Sequence, residues 1–197
     1  MLGYFKTHTY FPKHSKWVFL FLFLLLAVIY DYPEILFKRP QSVHQWRQSD
    51  CLSLTMSYYQ DNNSFLEPSI HYLGGDGTGK TVSDFPLIYY TVAQIWKVFG
   101  KQEFIYRLLV LTLFFAGLFS LFKWFESSLK DSVVSMTFVL FLFTSPTLIY
   151  YANNFLMDIP AFSFALMGLY FFSRFVDTPS RRYFFLFSIM YTIGGLL

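Results

Sequence analysis

The sequence predicts an all-α membrane protein, a polytopic helical bundle of about four or five transmembrane helices with a long loop after the first. Hydrophobic residues make up 55% of its 197 residues and charged residues only 14%, whereas soluble domains carry about 25% charged residues. The apolar residues also form long blocks separated by short polar segments. A single cysteine, Cys51, excludes an internal disulfide framework and a cysteine-only metal site.

The first apolar block predicts a span over residues 16–37. Its centre, WVFLFLFLLLAVIY, is shorter than the roughly 20 apolar residues that cross a bilayer, so we extend the span past Pro33. Lys13 and Lys16 are also typical of a signal peptide, but the YDYPE that follows offers no small-residue cleavage site. An uncleaved first span is therefore the preferred interpretation.

Later apolar blocks predict four more spans within a single transmembrane region, residues 1–197. They cover residues 104–125, 133–152, 156–176 and 183–197. The last block ends on an apolar GGLL without a flanking charge. We therefore expect the N-terminal part of a larger polytopic protein, or a truncated product.

Lysine and arginine residues near the predicted span ends indicate the orientation. They occur before the first span, between the second and third, and between the fourth and fifth, but not between the third and fourth. Because basic residues are retained on the cytoplasmic side, we expect a cytoplasmic N-terminus in a multi-pass inner-membrane protein. Residues 38–103 then form an extracytoplasmic loop.

Within that loop, residues 86–99 predict an amphipathic helix in the outer membrane interface. Pro86 suits a first helical turn and Gly100 suits a stop, while Gln94 and Lys97 share one helix face. The segment's length and its tyrosine and tryptophan content favour an interfacial helix over a full span.

The loop opens with HQWRQSD, which gathers several polar side chains just outside the first span. In a helix, His44, Arg47 and Gln48 share one side, and Asp50 follows Arg47 by three. An imidazole, a guanidinium and a carboxylate together suit acid–base and phosphate chemistry. The alternative is an interfacial hydrogen-bonded cluster anchored by Trp46.

Further along, Asp158 lies at the outer start of the fourth predicted span. An aspartate there is also explained by its favourable interaction with the helix dipole, although ionisable residues at membrane depth are usually functional. With the predicted orientation, Asp50, Asp84 and Asp158 all face the extracytoplasmic side. The three aspartates can contribute to one site only if they lie on the same side of the membrane, as they do in this orientation.

The chain resembles the N-terminal part of GT-C integral-membrane glycosyltransferases through four stretches in a fixed order. These are HQWRQSD, the glycine-rich stretch after it, DFPLIYYTVAQIWKVFG and EFIYRLL. The likeness is closer to bacterial relatives of the protein O-mannosyltransferases and of the lipid A aminoarabinose transferase, and it runs over about residues 17–197. It implies inverting transfer from a polyprenyl-phosphate-linked sugar to a lipid, glycan or protein acceptor in the cell envelope. A non-enzymatic transporter half or assembly subunit is the alternative.

The resemblance also implies roles for individual residues. Asp50 matches the acid that deprotonates or orients the acceptor, Asp158 matches a second acidic position, and Asp84 stands where relatives usually have glutamate. The resemblance makes His44, Arg47 and Arg107 candidate contacts to the donor phosphate. Lys80 is a further candidate because of its place in the outer loop, and a solvated lysine is the alternative there.

Two of these implications have alternatives. Arg107 also has a structural explanation, a pairing with Glu103 four residues earlier. No cofactor is required by the sequence, although Asp50, Asp158 and His44 are candidate oxygen and nitrogen ligands for a divalent metal.

The stretch GGDGTGKT, residues 74–81, fits the pattern of a nucleotide-binding P-loop. That motif needs an apolar strand before it and a helix directly after it, and neither SIHYL nor VSDFP fits these requirements. We therefore interpret the stretch as a flexible, turn-rich connector that could cover a donor, and predict neither nucleotide nor nucleic-acid binding.

Overall fold

The computed structural model of the protein describes residues 10–75 and 77–197, which form helices and loops without a strand. The helices are α1 (Pro12–Ile29), α2 (Tyr32–Ile35), α3 (Gln45–Gln60), α4 (Leu87–Phe99), α5 (Glu103–Leu129), α6 (Ser132–Phe143), α7 (Pro146–Tyr151), α8 (Asp158–Asp177) and α9 (Arg181–Leu196). Among them, α1, α5 and α8 are long and apolar enough to cross a membrane. The predicted class, an all-helical membrane protein, is confirmed.

Helix breaks divide two of the predicted spans. α1 ends at Ile29, the chain turns at Asp31 with a left-handed φ of 55°, and only the four residues of α2 continue towards residue 37. The block predicted as the third span is divided into α6 and α7, because Pro146 cannot donate to the preceding turn and instead begins a new helix. α6 is apolar but has 12 residues, a length of about 18 Å.

Aromatic side chains hold α1, α5 and α6 together. The ring of Phe19 stacks on that of Phe122 with centroids 4.8 Å apart, and Phe23 stacks on Phe143 at 5.0 Å. All four side chains are buried. Each offset aromatic pair of this kind contributes about 0.5–1.5 kcal/mol in addition to the contribution of the area it buries. The three helices α1, α5 and α6 therefore form a packed membrane frame, to which the loop after α1 is attached.

The helices α5 and α8 approach each other closely at a glycine. A Cβ atom on Gly117 would lie 2.8 Å from the Cα of Ser163. Small residues allow this kind of backbone approach between membrane helices. α8 in turn packs against α9.

Outside this frame, α3 packs against α4. One face of α4, including Tyr89, Val92 and Trp96, is buried. Tyr58 and Tyr59 of α3 make edge contacts with Tyr90 and Trp96 of α4. With 13 residues, about 20 Å, α4 is too short to cross a bilayer; its location in a membrane interface stays a prediction.

The glycine-rich stretch closes a turn. Ser69 pairs with Lys80 in an antiparallel bridge, and the amide of Ile70 donates to the carbonyl of Gly79 over 2.9 Å. The next helix begins at Leu87, so no helix directly follows the motif and the P-loop interpretation has no structural support among the described residues. The described residues of the stretch thus form turns, as predicted, and its flexibility stays a prediction.

Replacing Gly117 with alanine should lower the thermal stability of the protein in detergent. The added Cβ meets the backbone of Ser163, which cannot move without separating α5 from α8, and overpacking of this kind costs about 1–3 kcal/mol. Gly195→Ala is the matched control, because a Cβ there meets nothing within 4 Å in another helix. Equal melting temperatures for the two variants would contradict the close approach.

Gly79→Ala should open the turn, because Gly79 has a φ of +65° and its added Cβ would lie 2.4 Å from the carbonyl oxygen of Ile70. A left-handed alanine alone costs about 1–2 kcal/mol, so hydrogen exchange at the Ile70 amide should accelerate about tenfold or more. In the control Gly75→Ala, where the Cβ has open space, exchange should not change. Unaltered exchange in Gly79→Ala would show that the turn is not held in this way.

Candidate functional site

A cleft of about 400 Å³ lies between α3 and the segment that leads into α4. Arg47 and Asp50 of α3 line it on one side, and Asp84 lines it on the other. Their spacing in α3 explains the first pair: residues 47, 50, 51 and 54 recur at the interval of one helix face. The cleft therefore brings together two of the predicted acids and one of the predicted phosphate contacts.

Asp84 is held by neighbours on both helices. A terminal guanidinium nitrogen of Arg47 lies 3.6 Å from a carboxylate oxygen of Asp84, and the hydroxyl of Tyr89 donates to the same oxygen over 3.4 Å. Both members of the ion pair are partly exposed, so the pair stabilises the fold by no more than about 1 kcal/mol. Its effect is to orient the carboxylate rather than to hold the helices together.

Asp50 has a different environment. Its side chain is exposed on the wall of the cleft, and no hydrogen bond or ion pair joins it to the described residues. One carboxylate of the cleft is thus engaged and the other is open to a ligand.

The floor of the cleft is apolar and keeps its ionisable groups neutral. The thiol of Cys51 lies 3.5 Å from the hydroxyl of Tyr89, and both side chains are buried. Burial raises the pKa of the Cys51 thiol to about 11 and also raises the pKa of the Tyr89 phenol. Neither group is therefore a nucleophile near neutral pH.

The predicted one-sided cluster in HQWRQSD is wrong. Successive helical residues are rotated by about 100°, so Arg47 faces the cleft whereas the buried Gln48 lines a second cavity on another face of α3. His44 precedes the helix, and its ring lies 5.8 Å from that of Tyr151.

Arg107 lies in that second cavity, which has a volume of about 430 Å³. It is buried, its terminal nitrogens donate to the carbonyl oxygens of Ile35 and Arg39, and its guanidinium lies 4.4 Å from the centre of the Phe155 ring. The charge of Glu103 acts on Arg107 without a direct ion pair, because the Glu103 carboxylate lies 3.7 Å from Lys101.

The other predicted site residues lie outside the cleft. Asp158 is exposed at the first turn of α8, and Lys80 is exposed in the glycine-rich turn. Neither residue lines either cavity, and nor does His44. Among the residues that the structure describes, no group of three or more His, Cys, Asp or Glu side chains is placed to hold a metal ion.

Several residues of both cavities were not predicted from the sequence. Tyr89 was interpreted only as part of an interfacial helix, although its hydroxyl contacts Asp84. Asn153 and Asn154 line the second cavity. Two adjacent asparagines between apolar blocks are costly in a membrane protein unless they have partners, and that signal could have found them.

The chain matches the family described as dolichyl-phosphate-mannose-protein mannosyltransferase over residues 83–197. The matched part includes Asp84, Arg107 and Asp158, while Arg47 and Asp50 precede it. No curated protein and no solved structure shows significant similarity to the chain. Membership implies a polyprenyl-phosphate-linked sugar donor and an acceptor. Since the match covers more than half of the sequence, the chain belongs to the dolichyl-phosphate-mannose-protein mannosyltransferase family and is a membrane glycosyltransferase of the GT-C type.

Proposed function

We propose that the cleft between α3 and α4 transfers a sugar from a polyprenyl-phosphate donor to a hydroxyl of a lipid, glycan or protein acceptor, on the extracytoplasmic face of the inner membrane. The observation that carries this proposal is the arrangement of Arg47, Asp50 and Asp84 around one open cleft. A cation for the donor phosphate and a free carboxylate for the acceptor are the groups that such a transfer needs.

In the proposed step, Asp50 takes the proton from the acceptor hydroxyl while the oxygen of that hydroxyl attacks the anomeric carbon of the donor sugar. The bond between that carbon and the phosphate oxygen breaks, and the polyprenyl phosphate leaves with the bonding electron pair. Because the acceptor oxygen attacks from the face opposite the leaving group, the anomeric configuration is inverted. Asp50 suits the role of base because it is exposed and has no partner among the described residues, whereas Arg47 and Tyr89 already contact Asp84.

Arg47 provides the charge for the leaving group. About half of its side chain is exposed, so its guanidinium can contact a phosphate while Asp84 holds it from the other side. Guanidinium–phosphate contacts are charge-assisted and roughly twice as strong as neutral hydrogen bonds. Asp84 is a positioning residue in this scheme.

Asp50→Asn in the full chain should abolish most of the transfer of labelled sugar from a polyprenyl-phosphate donor in membrane vesicles. Loss of a general base typically lowers kcat by about 10²–10⁴-fold. Asp61→Asn is the matched control, because Asp61 is an exposed aspartate at the far end of the same helix and lies outside the cleft. Undiminished transfer by Asp50→Asn would refute the proposed role of Asp50.

Arg47→Gln should raise the KM for the donor about tenfold and change kcat less, because a neutral amide binds a phosphate more weakly than a guanidinium does. Arg47→Lys keeps the charge and should recover part of the affinity. Steady-state kinetics with varied donor concentration measure both. An unchanged kcat/KM for the donor would place Arg47 away from the donor phosphate.

A further inference from the structure

The second cavity is separate from the cleft and has a different chemical character. It lies between the loop before α3, α3 itself, α5 and α7, and it shares no lining residue with the cleft. Its polar walls are formed by Gln48, Arg107, Asn153 and Asn154, which are at least 96% buried, and by Tyr150. Its volume, about 430 Å³, is in the range of small-molecule sites.

Each of the four buried polar side chains has an atom without a hydrogen-bond partner among the described residues. These atoms are Gln48 Oε1, Arg107 Nε, Asn153 Oδ1 and Asn154 Nδ2. An unpartnered buried polar atom costs about 1–3 kcal/mol, and native proteins contain few of them. Four in the wall of one cavity therefore indicate a polar occupant.

Backbone contacts fix which of these atoms donate and which accept. Gln48 Nε2 donates to the carbonyl of Gln41, and Asn153 Nδ2 donates to the carbonyl of Tyr32. Asn154 Oδ1 accepts from the amide of Leu156. Since a carbonyl only accepts and an amide N–H only donates, none of the three side chains can be flipped. The unpartnered set is thus two acceptors, on Gln48 and Asn153, and two donors, on Arg107 and Asn154.

This pattern suits hydroxyl groups better than an anion. A hydroxyl both donates and accepts, whereas phosphate oxygens mainly accept and would meet the acceptor oxygens of Gln48 and Asn153 unfavourably. Two of the five N–H groups of Arg107 already donate to carbonyl oxygens, which leaves fewer of them for a phosphate.

We propose that the cavity binds a saccharide group, with hydroxyls bonded to Gln48, Arg107, Asn153 and Asn154. The proposal deepens the function proposed above, because it assigns sugar recognition to a site other than the Arg47–Asp50–Asp84 cleft. The saccharide is a glycan of the acceptor, because the proposed transfer places the anomeric carbon of the donor sugar beside Asp50 in the cleft.

Binding of methyl α-mannoside, methyl α-glucoside and inorganic phosphate to the detergent-purified full chain, measured by ligand-observed NMR, tests the site. A glycoside should bind saturably, with a dissociation constant on the order of 1 mM for a ligand of this size. Asn154→Asp keeps the acceptor for the Leu156 amide but removes the donor, so it should weaken binding at least tenfold. Gln41→Trp places a large side chain at the edge of the cavity and should abolish glycoside binding. The control Val43→Trp changes an exposed residue outside the cavity, so glycoside binding should be unchanged.

The outcomes separate this proposal from the proposed catalytic role of Asp50. Asp50→Asn should bind the glycoside as the unaltered chain does, even while it loses transfer. In the transfer assay, a raised KM for the acceptor in Asn154→Asp supports recognition of an acceptor glycan, whereas a raised KM for the donor alone contradicts it. A chain that binds phosphate but neither glycoside, or glycoside binding that neither cavity variant weakens, overturns the proposal.

Discussion

The buried guanidinium of Arg107 is the contact on which the outer part of the structure depends. It extends from α5 and donates to the carbonyls of Ile35 and Arg39, in the segment that leads from α2 towards α3. The carbonyl of Ile35 also accepts from the backbone amide of Lys38, so Arg107 adds a second contact to this turn, and the guanidinium itself packs on Phe155. The start of α3 is consequently fixed relative to the membrane frame.

With its start fixed, α3 presents different faces to two cavities. One face carries Arg47 and Asp50 into the cleft, and a neighbouring face places Gln48 beside Tyr150. The α4 side of the cleft is held by a separate set of contacts, in which Tyr89 reaches both Cys51 and Asp84. An open cleft that carries Arg47, Asp50 and Asp84 and a polar cavity whose one charged lining residue is Arg107 therefore lie on two faces of one helix, as expected where a phosphate and a saccharide are recognised separately.

The fold class was predictable because the length and composition of apolar blocks determine which segments partition into a membrane. Arg47, Asp50 and Asp84 were singled out by their residue types in a polar loop, and the family match supports the glycosyltransferase assignment. The break at Pro146 was visible in the sequence, but it was interpreted as lying inside a continuous span. The partners of Arg107 were not predictable, because they are backbone carbonyls, which every residue has. The second cavity depends on contacts between residues more than 100 positions apart, such as Gln48 with Tyr150, and a single sequence gives no periodic signal for them.

The central claim is that sugar transfer occurs in the cleft lined by Arg47, Asp50 and Asp84. A structure of the full chain with a bound polyprenyl-phosphate sugar tests it most directly, through the positions of the phosphate and the anomeric carbon. The account predicts the phosphate within hydrogen-bond distance of Arg47, about 2.7–3.2 Å, and the anomeric carbon facing Asp50 with room for one acceptor oxygen between them. A donor bound with its phosphate outside the cleft, and its anomeric carbon remote from Asp50, would contradict the claim.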